Sequence, residues 1–130
     1  MNVGLLILTH IGIGPALLGT AALMMDGCPL QAKILTASAD SEPEEIMHHA
    51  RELIAELDKG DGVLILADLP GSTPYNVVER LLKTEHIRIV TGMNLSMLIS
   101  VLNYPQLGLD DLAAKAVSGG MEGIVLSKQA

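Results

Sequence analysis

Short runs of consecutive apolar residues, separated by glycine, proline and amphipathic segments, constrain the fold of this chain more than any other feature. Val63–Ala67 is the clearest run, and Val3–Thr9 is nearly as apolar. Runs of this length without polar alternation are typical of strands buried on both faces, as in parallel sheets. Ala32–Ala37 and Ile87–Thr91 are the next strand candidates, and Ile124–Ser127 is a further short one.

The segments between these runs have helical signals. Pro15 suits the first turn of a helix that continues through Ala16–Met25. Ser41-Glu42-Pro43-Glu44 matches a capping box, and Thr73 is predicted to be an N-cap with Pro74 at the first helical position. The inner faces of these two helices are predicted to be Ile46, Ala50, Leu53, Ile54 and Leu57, and Val77, Val78, Leu81 and Leu82. Two more helices are predicted at Leu95–Leu102, capped by Asn94, and near Leu109–Val117.

Strands that alternate with helices predict one α/β domain spanning residues 1–130, with a doubly wound, mostly parallel sheet and helices on both faces. The chain is 49% hydrophobic but only 2% aromatic, so its core must consist of aliphatic residues and methionine. This apolar fraction is high for a soluble domain and favours a buried interface in a homo-oligomer.

The net charge and the cysteine content indicate which binding partners and which cellular compartment to expect. The net charge of −7 disfavours binding to nucleic acid or to anionic membranes, and it favours binding to a partner with a basic face. The single cysteine, Cys28, forms no internal disulfide, which fits the cytoplasm. The first 25 residues carry no charge, but Met1-Asn2-Val3 is not a basic signal region and Gly12, Gly14 and Pro15 interrupt a membrane span.

The residues with the clearest chemical potential stand where two predicted strands end. His10 follows the first strand and Asp68 follows Val63–Ala67. Carboxyl ends of parallel strands share one edge of a sheet, where open α/β sheets bind ligands. If the two strands are neighbours, Asp68 accepts a hydrogen bond from Nδ1–H of His10 and leaves Nε2 free as a nucleophile or base.

The segment after Asp68 adds an anion site to this edge. Pro70-Gly71-Ser72-Thr73-Pro74 combines small residues, two hydroxyls and a helix start, and therefore predicts a phosphate cradle. The predicted phosphate cradle includes the backbone from Gly71 to Tyr75. A neutral imidazole facing such a cradle suits phosphoryl transfer, which needs positioning and charge stabilisation.

Other interpretations stay open from the residues alone. Ser72 or Thr73 could join His10 and Asp68 in a hydrolase-like triad, although the Gly-x-Ser-x-Gly elbow is missing. A metal site could use the cluster on one predicted helix, but a solvated charge-paired face explains it better. The cluster consists of Glu44, Glu45, His48, His49 and Glu52. A flavodoxin-like module that binds a small molecule or a nucleotide is a third alternative, although Gly12-Ile13-Gly14-Pro15 is neither a Walker loop nor a complete dinucleotide fingerprint.

Taken together, four segments in order resemble the mannose-type enzyme IIA family of the bacterial phosphoenolpyruvate-dependent phosphotransferase system (PTS). They are Thr9-His10, Asp68–Asn76, Val90–Leu98 and Gly120-Met121-Glu122-Gly123. The sequence departs from the usual family pattern by Ile11 after the histidine and by Gly-Ser-Thr at 71–73.

The resemblance implies a phosphohistidine relay. His10 would accept a phosphoryl group from the histidine phosphocarrier protein HPr and pass it to a IIB component on a separate chain. Asp68 would orient His10, with Gly71, Ser72, Thr73 and Tyr75 at the phosphate. No metal and no cofactor are expected. The resemblance also implies a homodimer in which a short, antiparallel C-terminal edge strand is exchanged, and contact with the membrane only through IIC and IID. A regulatory protein whose phosphorylation state is the output is the alternative within the family.

Overall fold

Four parallel strands form the sheet of this protein in a computed structural model that describes residues 1–38 and 40–129. The strands are β1 (Gly4–His10), β2 (Ala32–Ala37), β3 (Val63–Ala67) and β4 (Ile87–Val90). Their order in the sheet is β2-β1-β3-β4. Four of the five predicted strands and their parallel pairing are therefore confirmed, and β1 lies beside β3.

Five helices connect and follow these strands. They are α1 (Ile13–Met24), α2 (Pro43–Leu57), α3 (Thr73–Glu79), α4 (Leu95–Leu102) and α5 (Leu109–Glu122), and a 3₁₀ turn at Arg80–Lys83 extends α3. Among the described residues, no helix combines the length and the hydrophobicity needed to cross a bilayer.

The side chains of the central strands alternate between two hydrophobic clusters. Leu5 and Ile7 of β1 belong to one cluster with α1, α4 and α5, whereas Leu6 and Leu8 belong to the other with α2 and α3. Every residue of β3 is buried as well. Helices thus cover both faces of the sheet, which confirms the doubly wound α/β architecture and explains why these strands are apolar throughout.

Three local predictions about helices α2 and α3 are wrong. The N-cap of α2 is Glu42, without a side-chain bond, and the Oγ of Ser41 instead accepts from the Ser38 N–H at 3.0 Å. This shift puts Pro43 in the first helical turn, where proline is favoured. The N-cap of α3 is Ser72 rather than Thr73. Leu82 is 42% exposed, because the tighter winding of the 3₁₀ turn rotates it away from the core.

The last helix is longer than predicted. Helix α5 continues to Glu122, so Gly119 and Gly120 lie inside it and not at its end. A Cβ atom at Gly119 would overlap Oγ and Cβ of Ser100 on α4, and one at Gly123 would overlap the side chain of Ser96. These glycines therefore allow α4 and α5 to approach closely.

The segment after α5 is exposed and has no regular structure within the described chain. Ile124, Val125 and Leu126 are between 73% and 82% exposed. The predicted strand Ile124–Ser127 does not form within the single described chain, and its pairing with a second subunit stays a prediction.

Candidate functional site

His10 and Asp68 meet at the carboxyl edge of the sheet. Leu8 of β1 is in register with Ala67 of β3, and the Asp68 N–H donates to the Leu8 carbonyl at 3.3 Å. The two strand ends therefore stop at the same level. The side chains of His10 and Asp68, 58 positions apart in sequence, form a direct hydrogen bond of 2.8 Å between Nδ1 and Oδ2.

Three N–H groups bind the Asp68 carboxylate. The backbone N–H of His10 donates to Oδ2 at 2.9 Å, and the backbone N–H of Leu69 donates to Oδ1 at 2.9 Å. The ring of His10 supplies the third donor. An ionised carboxylate only accepts hydrogen bonds, so Nδ1 carries a proton, and in the neutral ring the lone pair is on Nε2.

The same contacts set the ionisation of Asp68. Burial raises the pKa of this carboxyl group, since the charged form loses hydration. The hydrogen bonds from the backbone and ring of His10, and from Leu69, together outweigh that effect and lower the pKa below its ordinary value. Asp68 is therefore a carboxylate at neutral pH, while its side chain is only 12% exposed.

The His10 ring is accessible from outside the protein. Its side chain is 45% exposed, and within the described residues Nε2 makes no hydrogen bond. An imidazole that is anchored through one nitrogen and open at the other can act as a nucleophile or as a base. The geometry therefore matches the predicted arrangement of His10 and Asp68.

The turn between Asp68 and α3 is held by its own side chains. Gly71 has a φ of +72°, which favours glycine, and its carbonyl accepts from Nδ2 of Asn76 at 3.2 Å. Ser72 Oγ donates to the Leu69 carbonyl at 3.3 Å and accepts from the Tyr75 N–H at 3.4 Å. Within the described residues, the N–H groups of Gly71, Ser72 and Thr73 donate to no other atom. They are free to bind an anion.

Tyr75 is already engaged by its own helix. Its hydroxyl donates to Oε2 of Glu79 at 2.6 Å. This hydrogen bond raises the pKa of Tyr75, and burial and the negative charge of Glu79 act in the same direction. The hydroxyl is therefore protonated at neutral pH and directed to Glu79.

Thr9 and Asn76 were not among the predicted site residues, although both order the edge. Thr9 is fully buried, and its Oγ1 contacts the backbone on both sides of the turn that follows β1. A polar residue inside an otherwise apolar strand was the sequence signal for Thr9. The role of Asn76 depends on the conformation of the Gly71 turn, which no simple pattern indicates.

The hydrolase-like triad does not form. A serine nucleophile needs its hydroxyl hydrogen-bonded to the histidine base. Ser72 Oγ instead bonds to Leu69 and Tyr75, and neither Ser72 nor Thr73 bonds to His10 in the described part of the chain.

The charged cluster on α2 is a surface feature. His48 pairs with Glu52 one helical turn away, and both side chains are more than half exposed. Within residues 1–38 and 40–129, no three histidine, cysteine or acidic side chains lie close enough to hold a metal ion.

Comparison with known proteins identifies the family of this chain. The model of the EIIA-man family, described as the fructose IIA component of the PTS system, matches residues 4–117. The chain belongs to this family. This EIIA-man protein is therefore a component of a phosphotransferase system.

Named relatives of this EIIA-man chain have the same fold. The mannose/sorbose-specific IIA subunit from Enterococcus faecalis superposes with a TM-score of 0.86 at 26% identity, covering 100% of this chain and 98% of that one. The phosphotransferase component EIIA from Streptococcus agalactiae gives 0.83 at 23% identity, with 95% of each chain covered, and shows the fold alone.

A curated relative is longer than the chain. The mannose-specific EIIAB component of Escherichia coli strain K12 is 29% identical over 127 residues. The match covers 95% of this EIIA-man chain and 39% of the relative. The chain thus spans well under half the length of that protein.

Proposed function

We propose that this EIIA-man protein is a phosphohistidine relay, in which His10 accepts a phosphoryl group from HPr and passes it to a IIB component. The observation that carries the proposal is the 2.8 Å bond between His10 Nδ1 and Asp68 Oδ2, with the ring open at Nε2. In the first transfer, Nε2 attacks phosphorus, the P–N bond to the donor histidine breaks, and the electron pair of that bond returns to the donor ring. The second transfer is the same step with His10 as donor.

Asp68 supports both transfers in this proposal. Phosphorylation at Nε2 makes the imidazole ring cationic while Nδ1 keeps its proton, and the neighbouring carboxylate stabilises that charge. The free N–H groups of Gly71, Ser72 and Thr73, and the Thr73 hydroxyl, would bind the phosphoryl oxygens. Tyr75 would contribute its backbone N–H, whose bond to Ser72 is long at 3.4 Å.

The surface around His10 fits a protein donor. Ile11 and Leu69 each follow one member of the His10–Asp68 pair, and they are 75% and 57% exposed. Reacting atoms must come within about 3–3.5 Å for transfer, so a protein that delivers phosphate to Nε2 also covers these neighbours. The net charge of −7 favours a basic face on that partner. The relay would operate in the cytoplasm and reach the membrane only through IIC and IID.

Phosphorylation can be measured directly. The chain is incubated with phosphoenolpyruvate, enzyme I and HPr, and its intact mass is recorded before and after acid treatment. We expect the gain of one acid-labile phosphoryl group, lost in His10→Ala and kept in His49→Ala, which removes an exposed histidine of α2. Retention of the phosphoryl group in His10→Ala, or no gain with active carriers, would refute the proposal. Subsequent addition of a IIB protein tests onward transfer, and its absence would favour the regulatory alternative.

We also propose that the chain is a homodimer with Ile124–Ser127 exchanged between subunits. Support comes from three exposed apolar side chains in this segment and from the open edges of the sheet at β2 and β4. Light scattering after size exclusion should give a dimer mass for the full chain and a monomer mass for a chain that ends at Gly123. A dimer that survives this truncation would contradict the exchange.

A further inference from the structure

Thr9 stands out because it is the one buried polar residue in the part of the chain that the structure describes. It precedes His10 in β1, and its side chain is on the opposite face of the strand because successive side chains alternate. That face carries Leu5 and Ile7 and packs against α1. Thr9 is therefore separated from the phosphoryl site by the sheet itself, and it cannot touch a partner or a phosphate.

The hydroxyl of Thr9 makes two hydrogen bonds that close the turn between β1 and α1. It donates to the His10 carbonyl at 2.9 Å and accepts from the Gly14 N–H at 2.9 Å. Gly14 lies in the first turn of α1, and the N-cap, Gly12, has no side chain that could cap the helix. Thr9, although it lies in the strand, thus accepts a hydrogen bond from a backbone N–H of the first helical turn, as a serine or threonine N-cap usually does.

The contact between Thr9 and Gly14 leaves no room for a side chain at position 14. A Cβ atom at Gly14 would lie 2.9 Å from Thr9 Oγ1, 3.1 Å from Ile7 Cγ2 and 3.2 Å from Ile34 Cγ2. The absence of a side chain at Gly14 therefore lets the helix start approach the hydroxyl. Valine at position 9 would keep the shape but leave a buried N–H and a carbonyl without this partner.

Together with Asp68, the hydroxyl fixes both backbone polar groups of His10. The His10 N–H donates to Asp68 at 2.9 Å and its carbonyl accepts from Thr9 at 2.9 Å. We propose that Thr9 is a positioning residue for phosphoryl transfer, which holds the His10 backbone so that the ring keeps its bond to Asp68 and its direction toward the partner. This inference rests on the relay proposed for His10.

The test compares Thr9→Val, which removes the hydroxyl, with Thr9→Ser, which keeps it and removes only the methyl group. In Thr9→Val we expect phosphoryl transfer from HPr to fall on the order of tenfold or more in kcat, because small misplacements of reacting groups are costly. KM should change little, since Thr9 is buried away from the docking surface. Thr9→Ser should restore the rate even if its thermal stability is lower than that of the wild type.

Two spectroscopic measurements separate positioning from a purely structural role. Imidazole ¹⁵N shifts of His10 should show the Nδ1–H tautomer in the wild type and in Thr9→Ser, and a mixture of tautomers in Thr9→Val. Hydrogen exchange of the Gly14 amide should accelerate only in Thr9→Val. If Thr9→Val does not fold, Thr9→Cys replaces it, since a thiol of similar size is a weak donor and acceptor.

The outcomes distinguish the inference from the relay on which it rests. Wild-type rates and an unchanged His10 tautomer in Thr9→Val would overturn the role of Thr9 while leaving the relay intact. A wild-type chain that HPr cannot phosphorylate would refute the relay. The tautomer and exchange measurements would then still decide whether Thr9 positions His10.

Discussion

His10 donates two hydrogen bonds to one oxygen of Asp68, from Nδ1 at 2.8 Å and from its own backbone N–H at 2.9 Å. The ring and the backbone of the same residue are thus fixed to a single acceptor. A third N–H, from Leu69, occupies the other carboxylate oxygen. The orientation of the His10 ring therefore depends on a carboxylate, which can accept hydrogen bonds at both of its oxygens.

Asp68→Asn should impair phosphoryl transfer while preserving the fold. An amide has one acceptor oxygen for three N–H donors. When its NH₂ group faces the His10 ring, the Nε2–H tautomer of His10 is favoured, and when it faces Leu69, the Leu69 N–H loses its acceptor. We expect a rate of phosphorylation by HPr reduced by about 10²-fold or more. Asp61→Asn is the matched control, because Asp61 binds only the exposed Asn2 N–H in the described chain. Equal loss in both variants would contradict a specific role for Asp68.

Acid should remove the stabilisation that Asp68 provides. Its pKa is lower in the folded protein than in the unfolded chain, so the stabilisation is present above the unfolded value of about 4 and disappears as the pH falls through the folded value. Urea unfolding should show a larger free energy for the wild type than for Asp68→Asn at pH 7. This difference should shrink below about pH 4. A difference that stays constant with pH would argue against an ionised, hydrogen-bonded Asp68.

Ser72→Ala should destabilise the protein more than Thr73→Ala does. Ser72 caps α3 through the Tyr75 N–H, whereas Thr73 is already helical. The capping bond is long at 3.4 Å, and caps contribute about 0.5–2 kcal/mol, so we expect a loss near the lower end. Chemical denaturation of both variants measures this loss. A greater loss in Thr73→Ala would place the cap where the sequence pattern suggested.

Leu81→Ala and Leu82→Ala should differ strongly in stability. Leu81 is 1% exposed and Leu82 is 42% exposed, although they are adjacent. Truncation of a buried leucine costs about 2–5 kcal/mol, whereas exposed substitutions usually stay within about 0.5 kcal/mol. The free energies of unfolding of the two variants provide the comparison. Similar values would mean that the 3₁₀ turn does not rotate Leu82 outward.

The contact between α4 and α5 can be probed with a double-mutant cycle. Gly119→Ala should destabilise the protein by about 1–3 kcal/mol, because its Cβ overlaps Ser100. Ser100→Gly should relieve this overlap, whereas Ser100→Ala should not, since the clash also involves the Cβ atom of residue 100. Additive effects of Gly119→Ala and Ser100→Gly would show that the two positions do not touch.

The larger features of the fold could be predicted from the sequence because they follow from burial. Continuous apolar runs mark β1 and β3, and their parallel pairing brings His10 and Asp68 to the same edge. Resemblance to the family added the expected partners and the role of each residue, which the pattern of residues alone could not supply.

The details that could not be predicted depend on tertiary contacts. Ser41 and Glu44 have the spacing of a capping box, but Ser41 closes the turn with Ser38 instead. Gly119 follows the predicted end of the last helix at Val117, and its place inside α5 is explained only by the contact with Ser100 on α4. Thr9 was visible as a polar residue in an apolar strand, yet the role proposed for it depends on its contact with the Gly14 N–H in the first turn of α1.

The close contact of α4 with α5 also limits how this chain can diverge. Gly119 inside α5 faces Ser100, and Gly123, the C-cap of α5, faces Ser96 one turn earlier in α4. Adding atoms on the glycine side costs least stability when the opposite serine has already lost its own side chain. The available volume therefore favours one order of changes, and we expect related chains to change these positions in pairs.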